Sequence, residues 1–237
     1  MTTRILDAGS FRLLAAVREP VDWTGPLVVY IEGDGAAYET PRRVAPDPTP
    51  TEPLALRLAG RDPAPAVAWL ARPCQYRTRT GQSDCAPRWW STHRFSEPAV
   101  AAVDAALDAL AGSPPRRLGL VGYSGGGVLA AVVAARRNDV DWLVTVAAPV
   151  DLGGWLAHHH LSPLPQALDP MMVRGALARL PQVHLAGERD TIVPPGIADR
   201  LVDALPAPHR ATTRVVAGAD HLHGWVDAWP AARPRFD

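Results

Sequence analysis

The segment that most restricts how this chain can fold lies near its middle. A short apolar run, residues 118–121, is followed at once by Gly122-Tyr123-Ser124-Gly125-Gly126. An alanine-rich stretch with helical character, 128–137, comes next. Strand, tight glycine turn and helix in immediate succession imply a parallel βαβ unit, because the helix must pack back on the strand it has just left. The glycines two residues on either side of Ser124 suit a turn so sharp that side chains there would strike the neighbouring strand and helix. G-x-S-x-G in this setting is the pattern of a nucleophile elbow, which presents a serine hydroxyl above the N-terminus of a helix. No Gly-Lys-Ser/Thr follows, so the phosphate-binding glycine loop is a poor match.

The same rhythm continues on both sides. Residues 27–31 and 67–71 read as buried strands, as do 142–147, 183–186 and 213–216, while 98–110 and 197–205 carry apolar residues at helical spacing. Residues 11–17 suggest an added antiparallel edge strand. The predicted class is α/β: one domain over 1–237 with a mostly parallel central sheet and helices on both faces. Two proline-rich stretches, 41–65 and 149–181, are interrupted by apolar residues and are expected to be ordered loops with short helices; the second is expected to be a cap or lid-like insertion.

Composition excludes several functions. Lys plus Arg and Asp plus Glu are 24 each, with no long basic run, so the concentrated positive face that nucleic acid requires is not expected. No apolar stretch is long enough to span a bilayer. The first ten residues lack the apolar core of a signal peptide, so the chain as given is expected to be cytoplasmic unless a leader has been removed, in which case a periplasmic or lipoprotein origin is open. Cys74 and Cys85 fit no metal or redox spacing. They are either two thiols or, in an oxidising compartment, a disulfide.

A serine hydroxyl needs a base to remove its proton, and that base needs an acid to orient it. With the order Ser, Asp/Glu, His, histidines upstream of Ser124 are excluded, which removes His93. His221 follows the last strand pattern through a short turn and is the expected base, with His223 as its rival. Asp190, on the loop after 183–186, is the expected acid; Glu188 reads as solvated or paired with Arg189, and Asp220 as badly aimed.

These residues, with Tyr30-Ile31-Glu32-Gly33-Asp34-Gly35, Ala71-Arg72-Pro73-Cys74-Gln75-Tyr76 and Gly218-Ala219-Asp220-His221, make the chain resemble the α/β-hydrolase superfamily. More narrowly, it is similar to a group of poorly characterised bacterial members. The resemblance implies a carboxylic ester hydrolase working through an acyl-enzyme. Thioester or amide cleavage, acyl transfer and a non-catalytic binding role remain open alternatives. It also implies oxyanion donors at the backbone N–H groups of Asp34 and Gly125. Glu32 stands where many such hydrolases have histidine, and the Asp34 side chain is expected to point away or toward solvent. Similar proteins are often exported lipoproteins, which fits a Cys74–Cys85 disulfide. Tyr123, Trp89, Trp90, Trp155 and His158 are candidate walls of a pocket for a small-molecule ester or related acyl substrate. No cofactor is expected, and the adjacent His158, His159 and His160 are not expected to converge on a metal.

Overall fold

The structure is a computed structural model describing residues 1–40 and 43–236. In chain order its elements begin with β1 (Thr2–Ala8), β2 (Phe11–Arg18), β3 (Leu27–Ile31), the short pair β4 (Tyr38–Thr40) and β5 (Arg43–Val44), α1 (Leu54–Arg61), β6 (Val67–Leu70), α2 (Arg77–Thr80) and α3 (Glu97–Ala111). They continue with β7 (Leu118–Tyr123), α4 (Gly125–Arg136), β8 (Val140–Val146), α5 (Leu152–His158), α6 (Arg174–Leu177), β9 (Gln182–Gly187), α7 (Gly196–Ala204), β10 (Ala211–Val216) and α8 (Trp225–Ala232).

Eight strands form one sheet in the order β1-β2-β6-β3-β7-β8-β9-β10. From β6 to β10 every pairing is parallel; β1 and β2 join antiparallel at one side. The central strands read as unbroken apolar runs because both faces are covered. In β3, Leu27, Val29 and Ile31 enter one core with α3 and α4, while Val28 and Tyr30 enter the other with α1 and α8. The register Ile31↔Gly122 brings the carboxyl ends of β3 and β7 level, so the loops after these strands meet at one edge of the sheet.

α3 starts with Ser96 at its N-cap, a proline in its first turn and Glu97 near the positive end of its dipole. It buries Val100, Val103, Leu107 and Leu110 and stops at Gly112, whose φ of 79° suits a residue without Cβ. On the opposite face, α8 is held by a buried polar cluster. The Tyr30 hydroxyl donates to Asp62 (2.5 Å) and accepts from Trp229 Nε1 (3.1 Å), and Arg233 Nε donates to Asp62 (2.7 Å).

Residues 11–17 do not form an edge. β2 lies between β6 and β1, and β1 is the edge strand. Its apolar pattern is weak because the first six of its seven residues are exposed or half-buried. Cys74 and Cys85 form a disulfide, tying the loop after β6 to the stretch that leads into the 3₁₀ turn Pro87–Trp90. The first proline-rich stretch carries the β4–β5 pair and α1; Pro41, its first residue, lies outside the described residues. The second carries α5, α6 and the 3₁₀ turn Pro170–Val173. Among the described residues, no helix is long and apolar enough to cross a membrane, and no group of three or more His, Cys, Asp or Glu side chains could hold a metal ion.

Candidate active site

Ser124 sits between β7 and α4 with φ 49° and ψ −125°, a conformation that L-residues rarely adopt. The flanking glycines allow it. A Cβ on Gly122 would lie 2.4 Å from the Gly127 Cα, and one on Gly126 would lie 2.3 Å from the Glu32 carbonyl oxygen. The turn is therefore closed to any larger residue at either place.

The loops after β9 and β10 bring two more groups to the serine. Ser124 Oγ lies 3.1 Å from His221 Nε2, and His221 Nδ1 lies 2.9 Å from Asp190 Oδ2. Asp190 is buried and held from its other side: its Oδ1 accepts from the N–H groups of Ile192 and Val193, both at 2.8 Å. The Tyr123 hydroxyl donates to the His221 carbonyl at 3.0 Å and fixes the backbone of that loop. Burial pushes the Tyr123 phenol well above its ordinary range, so it stays a donor.

The rivals do other work. Asp220 accepts from the N–H groups of Leu222 and His223 and pairs with the exposed His223 ring, closing the turn that carries His221. Glu188 is exposed, as expected of a solvated side chain, and from the surface it accepts from the Gly218 N–H at 2.8 Å and supports the same turn.

Asp34 and Gly125 lie side by side. Among the described residues, neither backbone N–H donates to another protein group. α4 directs its N-terminal end at this point, which adds partial positive charge. The Asp34 side chain does not point away. Its carboxylate packs against Gly125, where a Cβ would come within 2.1 Å of Oδ1, and pairs with the buried guanidiniums of Arg72 and Arg94. Burial alone would raise the Asp34 carboxyl; the two arginines outweigh it and hold the group below the usual carboxylate range.

Glu32 is a buried anchor. Its Oε1 accepts from the N–H groups of Gly33 (3.0 Å) and Ala55 (3.3 Å), and its Oε2 from Leu56 N–H (3.3 Å) and Trp69 Nε1 (2.9 Å). It thus joins the Asp34 loop to the start of α1, while burial raises its pKa despite these donors. Gln75, from the loop that the disulfide pins, donates to the Gly33 carbonyl at 2.9 Å and braces the same loop.

Ser124 and His221 open on a cavity of about 660 Å³. Tyr123 and Trp155 line it, the latter held by a 2.6 Å bond from Nε1 to the Ile192 carbonyl. Trp89, Trp90 and His158 do not. Trp90 is buried with Nε1 donating to Ala45, and Trp89 packs edge-on against Phe11. Together the two tryptophans border only a narrow crevice of about 10 Å³ behind Asp34. His158 packs against the His159 ring. A double tryptophan marks a packing anchor as readily as a pocket wall, and here the packing role wins. Phe95 and Arg94, which do line the cavity, were missed, since neither belongs to a motif.

No protein-family model matches this sequence, and no curated protein is significantly similar to it. Solved structures do match across nearly the whole chain. An α/β serine hydrolase homologue from Coxiella burnetii has a TM-score of 0.64 at 16% identity, covering 97% of this chain and 94% of its own. The esterase domain of a Rhodothermus marinus protein gives 0.63 at 17%, with 96% and 92% covered. A proline iminopeptidase from Mycobacterium smegmatis gives 0.63 at 16%, with 93% and 91% covered. The chain has the α/β-hydrolase fold. At these identities the likeness reaches no further than the fold, which hosts many chemistries.

Proposed function

We propose that the protein is a serine hydrolase that cleaves carboxylic esters through an acyl-enzyme. The observation that carries this reading is the unbroken chain from Ser124 Oγ through the His221 ring to Asp190, at 3.1 and 2.9 Å, opening on a cavity beside two unspent N–H groups. Of the structural neighbours above, the esterase domain agrees with it by name, while the proline iminopeptidase shares the fold under a different chemistry.

In this mechanism Asp190 holds the proton on His221 Nδ1, which leaves Nε2 as the acceptor. Nε2 takes the hydroxyl proton as Ser124 Oγ bonds to the ester carbonyl carbon. The carbonyl oxygen becomes an oxyanion between the N–H groups of Asp34 and Gly125. As this intermediate collapses, Nε2 gives its proton to the departing alkoxide, and an acyl-serine remains. Water then loses a proton to Nε2 and attacks the acyl carbon. The second collapse returns the proton to Ser124 and releases the acid. In the same proposal, residues 149–181 act as a cap over one side of the cavity, with Trp155 and Leu161 facing the acyl group.

The test is pre-steady-state hydrolysis of p-nitrophenyl acetate, butyrate and octanoate by wild type, Ser124→Ala and His221→Ala. A burst or steady turnover in the wild type that both substitutions abolish is expected. Turnover unchanged in Ser124→Ala would overturn the proposal.

A further inference from the structure

The cavity beside Ser124 is apolar over most of its wall, through Phe95, Trp155, Leu161, Ile192, Val193 and Leu222. Charged groups interrupt it: the carboxylates of Glu32, Asp34 and Glu52 and, among the described residues, one guanidinium, that of Arg94. The Arg94 side chain is 7% exposed, and the residue borders the cavity. Among the described residues the only hydrogen bond of that side chain runs from Nη1 to the Ser91 carbonyl at 3.2 Å. Its Nε is buried without a hydrogen-bond partner, lying 3.3 Å from Asp34 Oδ2 without bonding geometry.

A buried guanidinium with unspent donors costs free energy unless something compensates it. The protein supplies less than one full counter-charge. Asp34 is the only described carboxylate paired with Arg94, and it is shared with Arg72, which holds it by a hydrogen bond. Among the described residues no other carboxylate lies in ion-pair contact with Arg94, although Glu32 supports the charge of Arg72 through space. Both Glu32 oxygens accept from the protein, Asp190 faces His221 and two N–H groups, and Glu52 lies at the cavity mouth beside Arg57. Arg94 also has little freedom to swing into solvent. Its guanidinium carbon lies 5.0 Å from the centre of the Phe95 ring, and Arg72 lies 5.2 Å from the same ring. Two guanidiniums about one aromatic ring, sharing one carboxylate, form a preorganised and under-compensated positive site next to Gly125 and the candidate nucleophile.

We propose that the substrate is an ester carrying a carboxylate on an otherwise apolar body, and that Arg94 binds the carboxylate. This rests on the serine-hydrolase reading above, and it names the substrate class of that same cavity. The shared chemistry is the anionic group, on either the acyl or the alcohol portion.

Two substrate pairs separate these sources. The acyl pair is the mono-p-nitrophenyl ester of adipic acid against p-nitrophenyl hexanoate. The alcohol pair is 4-carboxyphenyl hexanoate against phenyl hexanoate. Each rate is referred to hydroxide hydrolysis of the same ester. Wild type is expected to favour the charged member of one pair by at least about tenfold in kcat/KM, mainly through KM. Arg94→Gln should bring that ratio toward one, and Arg94→Lys should restore part of it. If Arg94→Gln does not fold, inhibition of the wild type settles the matter: adipate should compete and adipamide should not. Turnover of the neutral esters with no preference in either pair and no inhibition by adipate overturns this inference and leaves the hydrolase reading intact. No turnover of any ester, with Ser124 inert, overturns both.

Discussion

Replacing Asp190 by asparagine probes the relay more finely than deleting it, because the surroundings decide which way the amide must face. Asp190 Oδ1 accepts two backbone N–H groups at 2.8 Å, and Oδ2 accepts from His221 Nδ1 at 2.9 Å. In Asp190→Asn the amide oxygen must stay toward Ile192 and Val193, because turning NH₂ toward two donors would leave all of them unpaired in a buried place. The NH₂ group then faces His221 Nδ1 and can only donate. His221 shifts its proton to Nε2, which becomes a donor toward Ser124 Oγ and can no longer receive its proton. Loss of a triad acid in this way lowers kcat by about 10⁴-fold, or about 5 kcal/mol of barrier. The fold keeps both backbone bonds, so unfolding free energy should fall by less than about 2 kcal/mol. Stopped-flow ester hydrolysis and urea unfolding of the same preparation check the two halves. A folded Asp190→Asn protein within about tenfold of wild-type kcat would refute the assigned proton path.

Three further predictions concern stability. Glu32→Leu leaves four donors on the Gly33 loop, α1 and Trp69 without an acceptor, and should lower stability by at least about 3 kcal/mol in denaturant unfolding; a loss below about 1 kcal/mol would mean the anchor is dispensable. Replacing Cys74 and Cys85 together by serine opens a loop with a sequence separation of 11, which should cost about 3 kcal/mol by chain entropy and appear as a lower urea midpoint; an unchanged midpoint would contradict it. His184, fully buried between Thr145 and Gln182, has its pKa depressed by burial from 6.5 to about 4. The unfolded chain binds this proton first as pH falls, so the stability His184 lends is complete above about pH 6.5 and is lost as pH drops toward 4; by pH 5 the loss is about 2 kcal/mol, removed in a folded His184→Gln variant.

Periodicity revealed most of the fold because both faces of the sheet are buried. Runs such as 27–31 have no reason to be continuously apolar otherwise, and they coincide with β3. The edge was harder to read. β1 packs little of its surface, so its apolar pattern is weak, and β2 was consequently expected at the edge. The positions of Ser124, Asp190 and His221 were legible because each lies on the short turn that leaves a strand, where loop geometry restricts where a side chain can go. The cavity walls were not legible. Trp89, Trp90 and His158 share residue types with pocket walls, but their direction depends on tertiary contacts such as Trp90 with Ala45. The ion pairs of Asp34 join residues 38 apart or more, a separation that carries no local signal.

The central claim is that Ser124 is an activated nucleophile, and covalent labelling tests it without knowledge of the substrate. Wild type is treated with a fluorophosphonate probe at neutral pH and the modified peptide is located by mass spectrometry. The account predicts one label per chain, on Ser124, with the rate falling sharply in His221→Ala and the label absent from Ser124→Ala. A folded wild-type protein that leaves Ser124 unmodified, or that labels at the same rate without His221, would contradict it.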